Sequence, residues 1–188
     1  HLEGVGEIFY IHPQGNDHEG NGSAAKPWRS LHYATGIVKK PGDVIHVMKG
    51  VYVEIASSLL AVGVSVEGDG EETVIMCSDK ADWTPVISAT SPEGTFGNQQ
   101  ISRLTFDGQK LSSFWAIRVA GRSNFSINNC KIFDFKDRGV IFDGRNDNTQ
   151  GPPEIYATGN TFHDNFVSNC AAYSTLNGTY GRGCLNIG

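Results

Sequence analysis

Two short segments of the sequence end in an aspartate that could take part in acid–base chemistry. Aligning NCKIFD, which begins at Asn129, with GNTFHD, which begins at Gly159, places Asp134 and Asp164 at equivalent positions. If the segments lie on successive turns of a stacked structure, the two carboxyl groups are about 4.8 Å apart along the stack. Two carboxyl groups at a suitable distance can hydrolyse a glycosidic bond, although two aspartates on solvated turns would give the same pattern.

Further acidic side chains follow the first of these aspartates and could bind a cation. Asp143 and Asp147 are the candidate ligands for Ca²⁺, which prefers carboxylate, amide and carbonyl oxygens. The cysteines do not have the spacing of a zinc site, and four of them are too few for a disulfide framework. The sequence therefore indicates Ca²⁺ as the candidate cofactor and leaves the cysteine pairing open.

The charge of the chain is distributed unevenly. The net charge is −5, and residues 1–100 alone carry six basic and thirteen acidic side chains. Residues 101–145, in contrast, contain eight Lys and Arg side chains against four Asp. This basic region predicts either scattered surface charge or a groove for an anionic ligand, such as a uronic-acid or sulfated polysaccharide. The acidic total argues against a nucleic-acid partner, and no stretch approaches the roughly 18 apolar residues of a membrane span.

Several side chains could contact a sugar directly. Tyr173 and Tyr180 lie in the long polar segment AAYSTLNGTYGRG. Aromatic faces stack on pyranose rings, and loops on a rigid scaffold are where such sites are built. Arg145 and His163 are the polar candidates for substrate binding.

The elements that must position these side chains are short strands separated by turns. The segment KKPGDVIHVMKGVYVE (Lys39–Glu54) reads as a turn, an alternating apolar strand and a second turn. Similar segments recur along the chain, and ISRLTFDG from Ile101 aligns with INNCKIFD from Ile127. An irregular period in the twenties to thirties indicates one structural turn per repeat, stacked on its neighbours. The pattern favours a parallel β-solenoid over an antiparallel sandwich.

One segment has the apolar periodicity of a helix. WRSLHYATGIVKK predicts a helix over Leu31–Lys39, with Ser30 as its N-cap. We expect this amphipathic helix to cover the open core and the unpaired strand edge at one end of the solenoid. The loop before it is polar and its spacing fits no standard metal site, so a solvated loop is expected for His12, Asp17, His18 and Glu19.

The order of these N-terminal motifs resembles the cap of right-handed parallel β-helix proteins of the pectate-lyase-like superfamily. The matching motifs, over about the first third of the chain, are Gly15-Asn16-Asp17, Lys26-Pro27-Trp28, Ser30-Leu31, Pro41-Gly42-Asp43 and Gly50-Val51-Tyr52. The resemblance implies an all-β fold, a right-handed parallel β-helix (solenoid) with one N-terminal capping α-helix. It also implies a secreted or cell-surface protein, extracellular or periplasmic, because most proteins with this cap are secreted and act on polysaccharides as lyases or hydrolases.

A second, fainter resemblance concerns NNCKIFDFKDRG (Asn128–Gly139), which is similar to a segment of the alginate lyase and chondroitinase group. In that group a lysine acts as base, an arginine assists and calcium neutralises the substrate carboxylate. The resemblance therefore implies Lys136 and Arg138 as catalytic residues. Either side chain must be crowded by other cations to act as a base at neutral pH.

The Asp-pair and Gly-His-Gly patterns of polygalacturonases and the Asp-x-Asp-Gly pattern of pectate lyases are absent.

Together these features predict the organisation and function of the chain. Residues 1–6 are expected to be a tag or linker, and residues 7–188 the N-terminal part of a single β-helix domain that continues beyond the chain end. The expected function is cleavage of an acidic polysaccharide by β-elimination, with no nucleic-acid or membrane partner. A glycoside hydrolase of the same fold and a non-catalytic, adhesin- or tailspike-like polysaccharide-binding β-helix remain alternatives, and the oligomeric state is open.

Overall fold

The strands and the single helix of the described residues alternate with short turns, as the sequence predicts. The computed structural model describes residues 6–78, 85–110, 115–135, 138–144, 154–170 and 185–187. Its elements are β1 (Ile8–Ile11), α1 (Leu31–Ile37), β2 (Val44–Val47), β3 (Gly50–Glu54), β4 (Ser58–Leu59), β5 (Ser65–Gly68), β6 (Thr73–Cys77), β7 (Ile87–Ser102), β8 (Thr105–Asp107), β9 (Trp115–Asn128), β10 (Lys131–Phe133), β11 (Arg138–Asp143), β12 (Thr161–His163), β13 (Phe166–Ser168) and β14 (Leu185–Ile187). In this part of the chain, no helix has the length and apolar character needed to cross a membrane.

The strands form three parallel sheets that run along the solenoid. Sheet I contains β1, β2, β5, the second halves of β7 and β9, and β12. Sheet II contains β3, β6, β8, β10 and β13. Sheet III contains β4, the first halves of β7 and β9, β11 and β14. The predicted all-β parallel β-helix with one helix is therefore confirmed.

Five successive coils, each with one strand in every sheet, make up this arrangement. They begin with β2, β5, the second half of β7, the second half of β9, and β12. The long strands β7 and β9 continue round the corner from sheet III to sheet I, and their pairing shifts register there. The three corners are named I–II, II–III and III–I after the sheets that they join.

Inward-facing apolar side chains stack from coil to coil and form the core. In sheet II, Ile75 pairs with Phe106, which in turn pairs with Ile132, and all three are buried. In sheet I, Ile101 pairs with the equally buried Ile127. Each such side chain contributes about 1.5–3 kcal/mol on burial, so the ladders hold successive coils in register.

Helix α1 covers the N-terminal end of this core. The predicted N-cap is confirmed, because Ser30 Oγ accepts a hydrogen bond from the Tyr33 N–H at 3.1 Å. The helix ends at Ile37, two residues before the predicted end at Lys39. Its inward residues, including Leu31, are buried against the solenoid, as the amphipathic pattern requires.

Two carboxylates from other segments fix the start of α1. Asp17 Oδ2 accepts a hydrogen bond from Ser30 Oγ at 2.8 Å, and Asp17 Oδ1 accepts from the Ser30 N–H at 3.0 Å. Glu54, at the end of β3, accepts from the Leu31 N–H at 2.8 Å and is buried. Burial raises the pKa of Glu54, although the hydrogen bonds from the helix partly oppose this effect. The expectation of a solvated loop is therefore wrong for Asp17, which anchors the helix.

Other residues of the cap motifs also have structural roles. The buried Asp43 accepts a hydrogen bond from the Glu7 N–H at 2.9 Å, which joins the first two strands. The single proton of the Tyr52 hydroxyl is shared between the carbonyl oxygens of Met48 at 2.6 Å and Ile11 at 3.0 Å. These contacts explain why the motifs predict the fold, and they give no information on chemistry.

The alignment of the later repeats differs from the prediction. The pairing of Ile101 with Ile127 confirms the first aligned pair of segments. The second aligned pair is wrong, because Ile127 pairs with Phe162 and Lys131 pairs with Phe166. The true offset is 35 residues, the difference between the paired positions 131 and 166, whereas the alignment used 30.

A regular backbone feature explains this error. Residues with positive φ occur at successive corners five positions apart, at Asn124, Asn129 and Asp134 in one coil. The next coil has the same spacing at Gly159, Asp164 and Asn169. Because each corner is followed by a similar three-residue strand, a shift of one corner gives a plausible but incorrect alignment.

Candidate functional site

The structure separates the two carboxylates that were predicted to be neighbours. Asp164 lies at corner I–II, next to the position of Asn129 in the preceding coil. Asp134 lies at corner II–III, where its N–H donates to the carbonyl oxygen of Ser168. A five-residue strand segment at about 3.3 Å per residue separates the two corners by roughly 16 Å. The predicted proximity of Asp134 and Asp164 is therefore wrong.

The remaining predicted residues are spread over the solenoid or lie outside the described residues. Arg138 begins β11 beside Trp115, at the sheet III side of corner II–III. Asp143 ends the same strand. His163 lies next to Asp164 at corner I–II. The predictions that fall outside the described residues are Lys136, Arg145, Asp147, Tyr173 and Tyr180.

The candidate calcium ligand Asp143 has a different partner in the structure. Arg118 Nε donates to Asp143 Oδ2 at 2.9 Å, and both side chains are partly buried. No group of three or more His, Cys, Asp or Glu side chains suited to a metal occurs among the described residues. Asp143 is therefore paired with Arg118 in the described part of the predicted site, and the Ca²⁺ prediction depends on Asp147, which lies outside the described residues.

The basic region does not form one surface. Arg122 is only 3% exposed, and it lies in corner III–I. Its guanidinium donates to Ser91 Oγ at 2.8 Å, to Gln99 Oε1 at 2.9 Å and to the Leu60 carbonyl oxygen at 2.8 Å. Burial lowers the pKa of Arg122 to about 10. This side chain stabilises the corner and is not available to a ligand.

Two other members of the basic region line an open groove at corner I–II. This corner groove has a volume of about 640 Å³. Its lining residues come from four successive coils and are Gly70, Glu71, Arg103, Asn129, Cys130, Lys131, Asp164 and Phe166. It is the strongest candidate site within the described residues.

Backbone hydrogen bonds fix the order of the coils along the groove. The Gly70 N–H donates to the Arg103 carbonyl oxygen at 3.1 Å, and the Arg103 N–H donates to Asn128 at 3.2 Å. The Phe166 N–H donates to the Cys130 carbonyl oxygen at 2.9 Å. Adjacent coils in such a stack are about 4.8 Å apart. Charged residues therefore follow one another along the groove in the order Glu71, Arg103, Lys131 and Asp164.

The two cations in the middle of the groove are open to a ligand. Arg103 is exposed and has positive φ, and no salt bridge joins it to any described residue. Lys131 is half-buried, and its Nζ lies 5.7 Å from the centre of the Phe133 ring. A cation over an aromatic ring retains its charge, so both side chains can attract an anion.

An exposed aromatic ring lies beside these cations. Phe166 pairs with Lys131 in the register of sheet II and is 60% exposed. Its open ring can stack on the apolar face of a sugar, as aromatic side chains do in many ligand sites. The sequence alone does not identify Arg103, Lys131 and Phe166 as site residues, because only the correct register brings them together.

A histidine–aspartate contact lies at one end of the groove. His163 Nδ1 is 2.8 Å from Asp164 Oδ2, and both side chains are exposed. When Nδ1 carries the proton and donates to the carboxylate, Nε2 is free to accept another proton. The contact therefore places a group that can transfer protons beside the lining residue Asp164, while His163 itself does not line the groove.

A charged cluster supports the other end of the groove. His46 contacts Glu67 Oε1 at 3.0 Å and Asp69 Oδ1 at 2.8 Å through its two ring nitrogens. Asp69 also accepts a hydrogen bond from the Lys49 N–H at 2.7 Å. Burial opposes ionisation of Asp69, but these hydrogen bonds and the charge of Arg103 lower its pKa overall. The cluster fixes the turn that carries Gly70 and Glu71.

The cysteine in the groove is not an activated nucleophile. Cys130 is buried, and its thiol lies 3.3 Å from the Asn128 carbonyl oxygen. Burial raises the pKa of the Cys130 thiol to about 11, so the thiolate is rare at neutral pH. The chemistry of the groove therefore depends on its charged and aromatic side chains.

Comparison with known proteins supports the β-helical fold. A solved structure described as a rhamnogalacturonan lyase matches with a TM-score of 0.60 and 15% sequence identity. The match covers 88% of this chain and 54% of that protein, so this chain spans about half of its length. No protein-family model and no curated protein sequence matches this chain significantly. At this identity the likeness supports a shared β-helical fold.

Proposed function

We propose that this protein binds an acidic polysaccharide in the corner groove and cleaves it by β-elimination. The observation that carries the proposal is the pair of cations, Arg103 and Lys131, on adjacent coils of an open groove beside the exposed Phe166 ring. The likeness to a polysaccharide lyase supports a polysaccharide as the ligand, and the name of that protein makes rhamnogalacturonan one candidate substrate.

The proposed reaction begins with neutralisation of a uronate carboxylate. Arg103 and Lys131 would bind this carboxylate and stabilise the negative charge that develops when the neighbouring carbon loses its proton. We assign proton removal to His163, whose Nδ1 contact with Asp164 orients the ring. The C–H electron pair then forms a carbon–carbon double bond, and the bond to the glycosidic oxygen breaks. The leaving oxygen takes up a proton from water and becomes a hydroxyl group, and protonated His163 returns its proton to solvent.

Neither the predicted Asp134–Asp164 pair nor the two carboxylates that line the groove have the spacing that hydrolysis needs. Glycosidases need two carboxyl groups about 5–9.5 Å apart. Asp134 and Asp164 lie at different corners, roughly 16 Å apart by strand length. Glu71 and Asp164 lie three coils apart, or roughly 14 Å at the usual strand spacing.

Binding without cleavage remains the second candidate function, because the cations and the aromatic ring would serve it equally well.

The location of the protein and its use of a metal are part of the same proposal. The resemblance of the N-terminal motifs favours action outside the cell or at its surface, where acidic polysaccharides occur. The Ca²⁺ prediction depends on Asp147, so no step of the proposed reaction uses a metal. A chelator added to the assay would test this prediction separately.

The experiment is a lyase assay with groove variants. Wild-type protein is incubated with rhamnogalacturonan, polygalacturonate, alginate, chondroitin and heparin, with Ca²⁺ or EDTA, and the ultraviolet absorbance of unsaturated uronates is followed. Arg103→Gln and Lys131→Gln should each reduce the rate at least about tenfold, since each removes a charge that stabilises the transition state. Lys110→Gln is the matched control, because Lys110 is exposed at corner II–III.

Three outcomes are informative. A rate that falls only in the two groove variants supports the proposal. Activity that survives both variants but is lost with Arg138→Gln would move the reaction to the start of β11, and loss with Lys136→Gln would make that lysine the catalytic residue. Binding without any absorbance change on the whole panel would replace the lyase with a polysaccharide-binding protein.

A further inference from the structure

We infer that the corner groove selects polysaccharides in which a carboxylated sugar alternates with a neutral one. This inference rests on the proposed binding of an acidic polysaccharide in the groove, and it adds the spacing of the charges along the polymer. It follows from the order of four side chains, with Arg103 and Lys131 in the middle and Glu71 and Asp164 at the two ends.

The backbone holds this order of charges rigidly. Glu71 and Thr105 are joined by a hydrogen bond from Thr105 Oγ1 to the Glu71 carbonyl oxygen at 2.8 Å. Asp164 has a φ of 54° at its corner and contacts His163 Nδ1 at 2.8 Å. With coils about 4.8 Å apart, the two carboxylates are separated by roughly 14 Å along the groove, with the cations between them.

The outer carboxylates remain available to repel an anion. No salt bridge joins Glu71 to a described residue, whereas the neighbouring Glu72 is paired with Lys49 Nζ at 2.6 Å. When neutral His163 donates its Nδ1 proton, Asp164 keeps its full negative charge. The groove therefore attracts a carboxylate at its centre and repels further carboxylates at both ends.

This pattern distinguishes between two kinds of acidic polymer. A chain with a carboxylate on every sugar that lies along the groove brings additional negative charges towards Glu71 and Asp164. Each unfavourable contact between exposed charges lowers the affinity by about two- to fivefold. An alternating chain brings neutral sugars there instead, whose hydroxyl groups can donate hydrogen bonds to the two carboxylates. A neutral sugar next to the bound uronate can also stack on Phe166.

The test compares four polymers in a binding experiment. Polygalacturonate and alginate carry consecutive uronates, whereas the rhamnogalacturonan backbone and hyaluronan alternate a uronate with a neutral sugar. Size-matched oligosaccharides are titrated into the 188-residue chain at low salt, and the heat of binding is measured. We expect wild-type protein to bind both alternating oligosaccharides at least about fivefold more tightly, with the difference decreasing at high salt.

The decisive variant neutralises both ends of the groove. Glu71→Gln together with Asp164→Asn should strengthen binding of the two consecutive uronates by about fivefold or more. The same variant should not strengthen binding of the alternating oligosaccharides, because the neutral amides accept the sugar hydroxyl hydrogen bonds more weakly than the carboxylates do. Glu72→Gln is the matched control and should leave the ratio of affinities unchanged, because Glu72 is paired with Lys49 outside the groove lining.

The outcomes separate this inference from the proposed function. Equal or tighter binding of consecutive uronates by wild-type protein, or no selective gain in the double variant, would overturn the charge-spacing inference and leave an acidic ligand intact. Binding of rhamnogalacturonan but not hyaluronan would show selection by sugar identity, and would also overturn it. Failure to bind any of the four oligosaccharides would overturn both the inference and the proposed ligand class.

Discussion

The peptide N–H of Gly70 donates to the carbonyl oxygen of Arg103 at 3.1 Å, which joins the acidic turn of one coil to the cation of the next. Gly68 lies two residues earlier and packs against the same carbonyl group. A Cβ atom on Gly68 would overlap the Arg103 carbonyl oxygen and lie 2.6 Å from Leu104 Cδ2. Arg103 can therefore keep its place in the groove only because residue 68 in the neighbouring coil is a glycine.

Gly68→Ala should disturb both the stability of the protein and the groove. The added methyl group meets backbone, which cannot move without shifting Arg103, so we expect a loss of about 1–3 kcal/mol in the free energy of unfolding. Oligosaccharide binding should weaken at the same time. Urea unfolding measures the stability, with Gly36→Ala as control, because no atom lies within 4 Å of a Cβ there and helix propensity favours alanine. Equal unfolding midpoints for Gly68→Ala and wild type would contradict the close packing.

Phe166→Ala should weaken oligosaccharide binding without reducing stability. The ring is 60% exposed, so its removal costs little core, whereas the loss of a stacking surface should lower the affinity by about two- to tenfold. Phe96→Ala is the matched control, since Phe96 is 61% exposed in β7 and does not line the groove. Calorimetric titration of both variants gives the comparison. Equal affinities for the two variants would show that Phe166 does not contact the ligand.

Arg122→Met should destabilise the protein strongly. The substitution leaves the buried carbonyl oxygen of Leu60 without its side-chain donor and removes one of the two donors to Gln99 Oε1, which keeps the Gly63 N–H at 3.2 Å. One unsatisfied buried acceptor costs about 1–3 kcal/mol, and the lost charge-assisted bonds to Ser91 Oγ and Gln99 Oε1 add to it, so the total loss should be roughly 3 kcal/mol or more. Urea unfolding measures this loss, and Arg103→Met, at an exposed position, should change the stability by less than about 0.5 kcal/mol. Similar stability of the two variants would show that Arg122 is not needed in the corner.

The fold could be predicted from the sequence because its motifs correspond to local contacts. Asp43 binds the Glu7 N–H, and the Tyr52 hydroxyl binds the Ile11 carbonyl oxygen, so each motif residue has one dominant structural role. The apolar repeat between Ile101 and Ile127 likewise reflects a direct strand pairing. Features of this kind depend on few residues and are visible in a single sequence.

The candidate site could not be predicted in the same way. The corners repeat every five residues, so sequence similarity matched NCKIFD of sheet II with GNTFHD of sheet I and placed Asp134 beside Asp164. The groove combines residues as distant as Glu71 and Asp164, which meet only when every intervening coil has the correct length. The basic character of residues 101–145 also does not show which cations can reach a ligand, because Arg122 is buried.

The buried carboxyl group under the cap helix should make stability depend on pH. Burial raises the pKa of Glu54 above its ordinary value of 4.5. The folded state therefore holds this proton at pH values where the unfolded state has lost it, so stability falls as the pH rises between the ordinary and the raised pKa. Glu54→Gln cannot ionise and should not show this part of the decline. The stability of the variant relative to wild type should increase with pH across that window and become constant above it.

Asp69→Asn provides a control of opposite sign. Burial opposes ionisation of Asp69, but the hydrogen bonds from the Lys49 N–H and His46 outweigh it and lower the pKa of the carboxyl group. Asp69 therefore contributes stability above its ordinary pKa of 3.8, and this contribution is lost as the pH falls through the lowered value. Urea midpoints from about pH 4 to about pH 8 should give a constant difference for Asp69→Asn above about pH 5 and a changing difference for Glu54→Gln. Parallel curves for Glu54→Gln and wild type would show that Glu54 ionises as readily in the folded protein as in the unfolded chain.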